Sequence, residues 1–247
     1  RKGTAGGSRT IVGHRVEDLD TLAFPHRDYA AHVLEAGWAF NIQGSRGCCG
    51  ACRYCASPGM GEDGRNQWRG RSVEHVVEEI SSLTRHFGAL SFNFIDEDFL
   101  GPPRRARERA EALAAELGRR DLNISFGIQV RPDSLSVESI SALADAGLTY
   151  VFLGIESDDP ADLRRWGRPP APQVWDLIDH LRRRGVGVGV GVLLFHPHAT
   201  FAGVRRFAAR LRNAGLLNFR SATNRLDAMP GSDFYNESLR AGEIDPD

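Results

Sequence analysis

"SVEHVVEEISSLTRHFGALSFNFI", residues 72–95, holds a helix, its stop and a strand in one line. Val73, Val76, Val77, Ile80 and Leu83 return at the spacing of one helical face, and Gly88 ends the run. "ALSFNFI" (89–95) then reads as a short buried strand. The same unit recurs along the chain. Glycine stops follow amphipathic segments at Gly118, Gly147, Gly185 and Gly215, at intervals of 30, 29, 38 and 30 residues from Gly88 onward. Apolar runs follow at 123–130, 150–155, 186–195 and 217–223, and "WAFNIQ" (38–43) supplies an earlier one. Strand, helix and strand at this period predicts parallel strands joined by right-handed crossovers. Six units fall short of an eight-fold barrel. The expected fold is therefore α/β, with parallel strands and outer helices in an incomplete (β/α)6 TIM-like barrel. The longest interval carries an additional loop, "SDDPADLRRWGRPPAPQ" (157–173). Residues 1–37 stand outside the repeat and read as a linker or arm, with the core domain at 38–247. The opening "RKGTAGGSRT" lacks methionine, so a fragment or trimmed chain is expected.

Composition narrows the class. Of the 247 residues, 41% are hydrophobic and 26% charged, as in an ordinary globular domain, and a net charge of −1 gives no overall attraction to nucleic acid or an anionic membrane. Lys2 is the sole lysine. The longest apolar run, "VGVGVGVLLF" (186–195), is too short for a membrane span, and no secretory signal pattern opens the chain. All four cysteines lie in one loop rather than spread as a disulfide framework, which predicts a reducing cytoplasm.

In parallel α/β folds function collects beyond the carboxyl ends of the strands. That rim would hold Cys48 to Cys55, then Asp96, Glu97 and Asp98, then Arg131. Next come Glu156 with Ser157, His196 with His198, and Asn224 with Arg225. Two frames overlap in the cysteine loop: Cys48, Cys52 and Cys55 make C-x3-C-x2-C, and Cys49, Cys52 and Cys55 make C-x2-C-x2-C. Three thiolates at such spacing select zinc or an iron–sulfur cluster. A zinc knuckle closed by a histidine such as His196 is one reading. A cluster with one open position is the other.

"SRGCCGACRYC" (45–55) resembles the cluster loop of the radical SAM family, with Tyr54 as the aromatic before the last cysteine and Cys49 where proline is common. The resemblance implies that Cys48, Cys52 and Cys55 hold three irons of a [4Fe–4S] cluster and that S-adenosylmethionine binds the fourth, with Cys49 a bystander. It runs from about residue 38 to 240. "FIDEDFL" resembles the second-strand motif, which makes Asp96 and Glu97 candidates for the methionine amino group; Asp98 would be solvated or cap the next helix. "QVRPDSL" resembles the third-strand motif, in which Arg131 faces the cofactor, the alternative being an ion pair with Glu156. "VFLGIES" resembles the fourth, putting Glu156 and Ser157 toward ribose or methionine, with Gly154 allowing close backbone approach. Glycines at alternate positions of 187–191 leave either a flat surface for adenine or room for close helix packing. His196 and His198 read as proton donors or substrate ligands, or as exposed loop residues, and Trp68 as packing.

This resemblance further implies reductive cleavage of S-adenosylmethionine to a 5′-deoxyadenosyl radical. "VEDLDTLAFPHRDY" (16–29) resembles the linker between a cobalamin-binding domain and a radical SAM core, with Ala23 in place of a proline. The expectation is a methyltransferase-type core acting on a small-molecule or peptide substrate, fed by an electron donor such as a flavodoxin or ferredoxin. Cobalamin would enter through a domain absent from this chain. A cobalamin-free oxidoreductase or lyase, and a non-catalytic zinc or iron–sulfur module, are the other readings.

Overall fold

The computed structural model describes residues 15–57 and 67–245. A helical turn at Leu19–Thr21 and helix α1 (Ala30–Glu35) lead into strand β1 (Phe40–Ile42). A two-stranded antiparallel ribbon, β2 (Ser45–Arg46) with β3 (Arg69–Gly70), then brackets the cysteine loop. Helix α2 (Val73–Phe87), β4 (Ser91–Phe94), α3 (Pro103–Arg119) and β5 (Ser125–Val130) follow. Next are α4 (Val137–Asp145), β6 (Leu148–Glu156), α5 (Pro160–Arg165), α6 (Val174–Arg183) and β7 (Gly187–Val192). The chain closes with α7 (Phe201–Asn213), α8 (Phe219–Thr223) and α9 (Asp233–Ala241).

The main sheet runs β1-β4-β5-β6-β7 with every neighbouring pair parallel. One face is packed by helices. Phe92, Phe94, Phe126, Ile128, Val130, Val151, Leu153 and Val190 are buried there against Val76, Val77, Ile80, Leu113, Ile140 and Ile178. Each such side chain contributes about 1.5–3 kcal/mol on leaving water. The other face carries Asn93, Gln129 and Tyr150, which remain exposed, so the sheet is an open half-barrel. Ser72 caps α2 by accepting the His75 N–H at 3.1 Å, and Gly88 ends it at φ +69°, as the opening stretch predicts.

Three expectations change. Gly118 does not stop α3, which continues to Arg119; Asp121 takes the left-handed turn instead, at φ +52°. Residues 219–223 are helix rather than a sixth strand. Asn218 and Ser221 satisfy each other's backbone N–H groups in a capping box, which favours a helical start over an extended run. The sixth strand survives only as a parallel bridge between Phe195 and Arg225. Finally, the glycines of β7 leave no bare platform. Tyr150 and Phe152 of β6 lie across them, so that a Cβ on Gly189 would stand 2.0 Å from the Tyr150 hydroxyl and one on Gly191 3.3 Å from the Phe152 ring.

The arm is held down within its described part, residues 15–37. Asp20 accepts the Ser72 N–H at 3.0 Å and faces His75 Nδ1 at 3.1 Å. Arg27 pairs with buried Glu79 at 2.7 Å, and Arg71 pairs with the same carboxylate at 2.5 Å. Among the described residues no helix is long and apolar enough to cross a membrane.

Candidate functional site

The cysteine loop leaves the carboxyl end of β1 and is pinned from below by the β4 acids. Asp96 is buried; one oxygen accepts the Gly44 N–H at 3.0 Å and the other accepts the Ser45 hydroxyl. Burial pushes this carboxyl up, against the pull of Ser45, Gly44 and Arg109. The acid expected at the cofactor thus fixes the start of the loop. Glu97 is the exposed member of the trio and accepts the Ser57 hydroxyl at 2.5 Å, just past Cys55. Asp98 is neither solvated nor a helix cap: it is fully buried, and its Oδ2 accepts the Cys49 thiol at 3.4 Å. Burial, then the nearby charge of Cys48, raises it to about 7.

The four sulfurs divide by their partners. Cys48 Sγ accepts the Gly50 N–H at 3.3 Å, Cys52 Sγ accepts from Arg168 Nη1 at 3.5 Å, and Cys55 Sγ accepts the Ser57 N–H at 3.4 Å. Cys49 instead donates its proton. The Cys49 thiol, with help from the Gly50 N–H and Arg131 against burial, lowers Cys48 to about 6, a thiolate at neutral pH. The same contact and burial raise Cys49. Burial raises Cys55 against the pull of the Ser57 N–H, with the charges of Cys52, Glu97 and Cys48 adding to the rise. Three thiols thus share one electrostatic neighbourhood and each receives an N–H donor. An N–H donor at a sulfur favours its charged form. Among the described residues His196 is not beside the thiols: its Nε2 faces Asp162 at 3.3 Å.

Arg131 leaves β5 and grips Asp133 with two bonds, at 3.0 and 2.7 Å, so its ion-pair partner is Asp133 rather than Glu156. Its third nitrogen, Nη1, is buried without a hydrogen-bond partner and lies over Gly50 beside Cys48. A buried cationic donor aimed at the thiols suits an anionic group bound there.

At the end of β6 the pairing with β7 slips between Gly154 and Glu156, and Glu156 adopts φ +65°. This bulge re-aims the side chain. Its carboxylate faces the Tyr54 hydroxyl and the Arg168 charge, which oppose the upward push of burial. Gly154 makes the room: a Cβ there would stand 2.8 Å from Glu156 Oε1 and 3.5 Å from Arg168 Nη2. Tyr54 packs edge-on to Trp166, with ring centres 6.0 Å apart, and burial raises its hydroxyl. Ser157 turns away to brace the turn before α5, donating to Asp162 at 3.2 Å and accepting the N–H of Asp159, the helix cap, at 3.1 Å.

His196 is buried rather than an exposed loop residue. Its side chain is 6% exposed, Nε2 lies 3.3 Å from Asp162, and the ring meets Trp166 edge-on. His198 is exposed. Trp68 is packing, lying against Gly101 and Gly70 and donating to the Asp98 carbonyl at 2.7 Å. Arg168, in the loop after α5, escapes the sequence reading. Its only signal is a Trp-Gly-Arg step in the additional loop, at which Gly167 (φ +68°) comes close to the Ala51 carbonyl.

A parallel half-barrel that pools four thiols beyond its first strand, three of them met by N–H donors, is an α/β barrel of the class suited to an iron–sulfur cluster. The radical SAM superfamily pattern matches residues 42–220, and the chain belongs to the radical SAM superfamily of enzymes. It is 30% identical over 164 residues to an uncharacterised methyltransferase of Pyrococcus horikoshii, covering 64% of this chain and 34% of that one. To cytidylyl-2-hydroxyethylphosphonate methyltransferase of Streptomyces wedmorensis it is 27% identical over 210 residues, covering 82% and 38%. In fold it resembles OxsB, a cobalamin-dependent S-adenosylmethionine radical enzyme with aqua-cobalamin bound, at TM-score 0.68 and 21% identity over 94% of this chain and 34% of that one. The chain spans about a third of the length of these relatives.

Proposed function

We propose that this chain is the catalytic core of a radical SAM methyltransferase-type enzyme, in which Cys48, Cys52 and Cys55 each bind one iron of a [4Fe–4S] cluster. The cluster, when bound, supplies the electron that cleaves S-adenosylmethionine reductively. The observation that carries this reading is the division of the sulfurs: three accept N–H donors, while the Cys49 thiol donates to Asp98. Cys49 is then no ligand.

The protein's own residues supply charge and packing. Arg131 Nη1 offers a buried donor to the anionic groups of the site. Glu97, exposed beside Cys55, and Glu156, raised on the β6 bulge, offer carboxylates to the amino and ribose groups of S-adenosylmethionine. Tyr54 holds Glu156, and Gly154 keeps the backbone low enough for both. Asp96 and Ser157 act one step back, fixing the loop and the turn into α5. Trp166, 1% exposed, backs Tyr54 edge-on.

Residues 38–247 would form the core domain and 1–37 an arm joining it to a cobalamin-binding domain. The methyltransferase and cobalamin-dependent relatives support C-methylation of a small-molecule or peptide substrate, with an electron donor such as a flavodoxin or ferredoxin in the cytoplasm. Anaerobic incubation of the reconstituted protein with a reductant and S-adenosylmethionine tests the core claim. Formation of 5′-deoxyadenosine that disappears in Cys52→Ala supports it. Fully loaded protein that leaves S-adenosylmethionine intact contradicts it.

A further inference from the structure

One guanidinium links the cysteine loop to the end of β6. Arg168 Nη1 donates to Cys52 Sγ at 3.5 Å, and Nη2 donates to the Gly154 carbonyl. The same group faces the Glu156 carboxylate, which sits with it over Gly154. Cys52 is the most buried of the four thiols, 7% exposed, so it has little water to share its charge with. Arg168 itself is held by the chain. Gly167 abuts the Ala51 carbonyl, and the Trp166 carbonyl accepts the Arg53 N–H at 3.0 Å, which ties the 166–168 segment to the cysteine loop.

From this arrangement we infer that Arg168 is a positioning residue that sets the reduction potential of the cluster through Cys52. The inference rests on the cluster reading above. Reduction adds one electron, and so one negative charge, to a centre whose Cys52 sulfur lies against a fixed cation; no bond forms or breaks. Hydrogen bonds and positive charge at ligand sulfurs stabilise the reduced form and raise the potential. A full charge in contact with the ligand sulfur, in surroundings less polar than water, is worth at least a factor of about ten in that one-electron equilibrium, which is about 59 mV. The Glu156 carboxylate works against this. Removing Arg168 therefore deletes the favourable charge and lowers the potential.

The test is an EPR-monitored redox titration of the anaerobically reconstituted chain, with iron and sulfide counted on the same samples. Arg168→Met that keeps its iron should titrate at least about 59 mV more negative than the wild type, with Arg168→Lys between the two. An unchanged potential in iron-replete Arg168→Met overturns the inference. Should Arg168→Met lose iron, Arg168→Gln against Arg168→Lys makes the comparison, since both keep a donor and only lysine keeps the charge. A glutamine potential below that of lysine supports the inference, and equal potentials overturn it. Wild-type chain that takes up no iron would instead remove the cluster reading on which the role of Arg168 rests.

Discussion

Gly50→Ala probes how closely the cysteine loop is fitted to β5. A Cβ at position 50 would lie 2.0 Å from Arg131 Nη1, 3.2 Å from its Cζ and 3.4 Å from Cys48 Sγ. Ordinary contact begins near 3.4 Å, so the guanidinium must move by about 1.4 Å or the loop must lift by as much. Arg131 has little freedom to move, because its side chain is 9% exposed and two of its nitrogens are bound to Asp133. A shift of that size breaks at least one of those bonds. A charge-assisted hydrogen bond is worth about 1.5–3 kcal/mol, within the range seen for overpacked cores. For a chain of this size that is a fall of about 3–12 °C in melting temperature. The assay is thermal unfolding of the metal-free chain, repeated in an Arg131→Ala background. The cost should appear in the wild-type background and shrink to a small residue once Arg131 is gone. An equal loss in both backgrounds, or none in the first, would refute the fit between Gly50 and Arg131.

Two acids, Asp98 and Glu156, supply further tests. Asp98 is raised to about 7 in the folded chain against an unfolded value near 4, so the folded state holds an additional proton between those limits. Stability of the metal-free protein should therefore fall as pH rises from about 4 to about 7, by at most about 4 kcal/mol through this group, and then level off. Asp98→Asn should remove that part of the slope; parallel denaturation profiles for the two proteins would sink the assignment. Glu156→Ala should weaken S-adenosylmethionine binding to the reconstituted protein by roughly 10- to 100-fold, the worth of a charged hydrogen bond. Unchanged affinity by calorimetry would take Glu156 out of the site.

Much of this architecture is readable from local chemistry. The face formed by Val76, Val77, Ile80 and Leu83 and the left-handed stop at Gly88 are properties of one short segment, and they fold as they read. What escapes the eye is set by neighbours. Gly118 lies in a stretch whose helix is carried onward by Arg119, so a glycine alone does not mark the end. The glycines of β7 accommodate Tyr150 and Phe152, rings delivered by the adjacent strand and invisible in the β7 sequence itself. Asp98 owes its burial to the sheet beneath it and its partner to Cys49, 49 positions away. The thiols announce the site by spacing alone. Arg168 reaches Cys52 from 116 residues further along, a separation that the crossover topology closes.

The choice between the two overlapping cysteine frames is the point at which the whole account is most exposed. Counting iron and sulfide on anaerobically reconstituted Cys48→Ala and Cys49→Ala decides it. Cys49→Ala should carry the same iron and sulfide as the wild type, and Cys48→Ala should carry little of either. A loaded Cys48→Ala beside an empty Cys49→Ala would contradict the assignment, and with it the electrostatic arrangement built around Cys48.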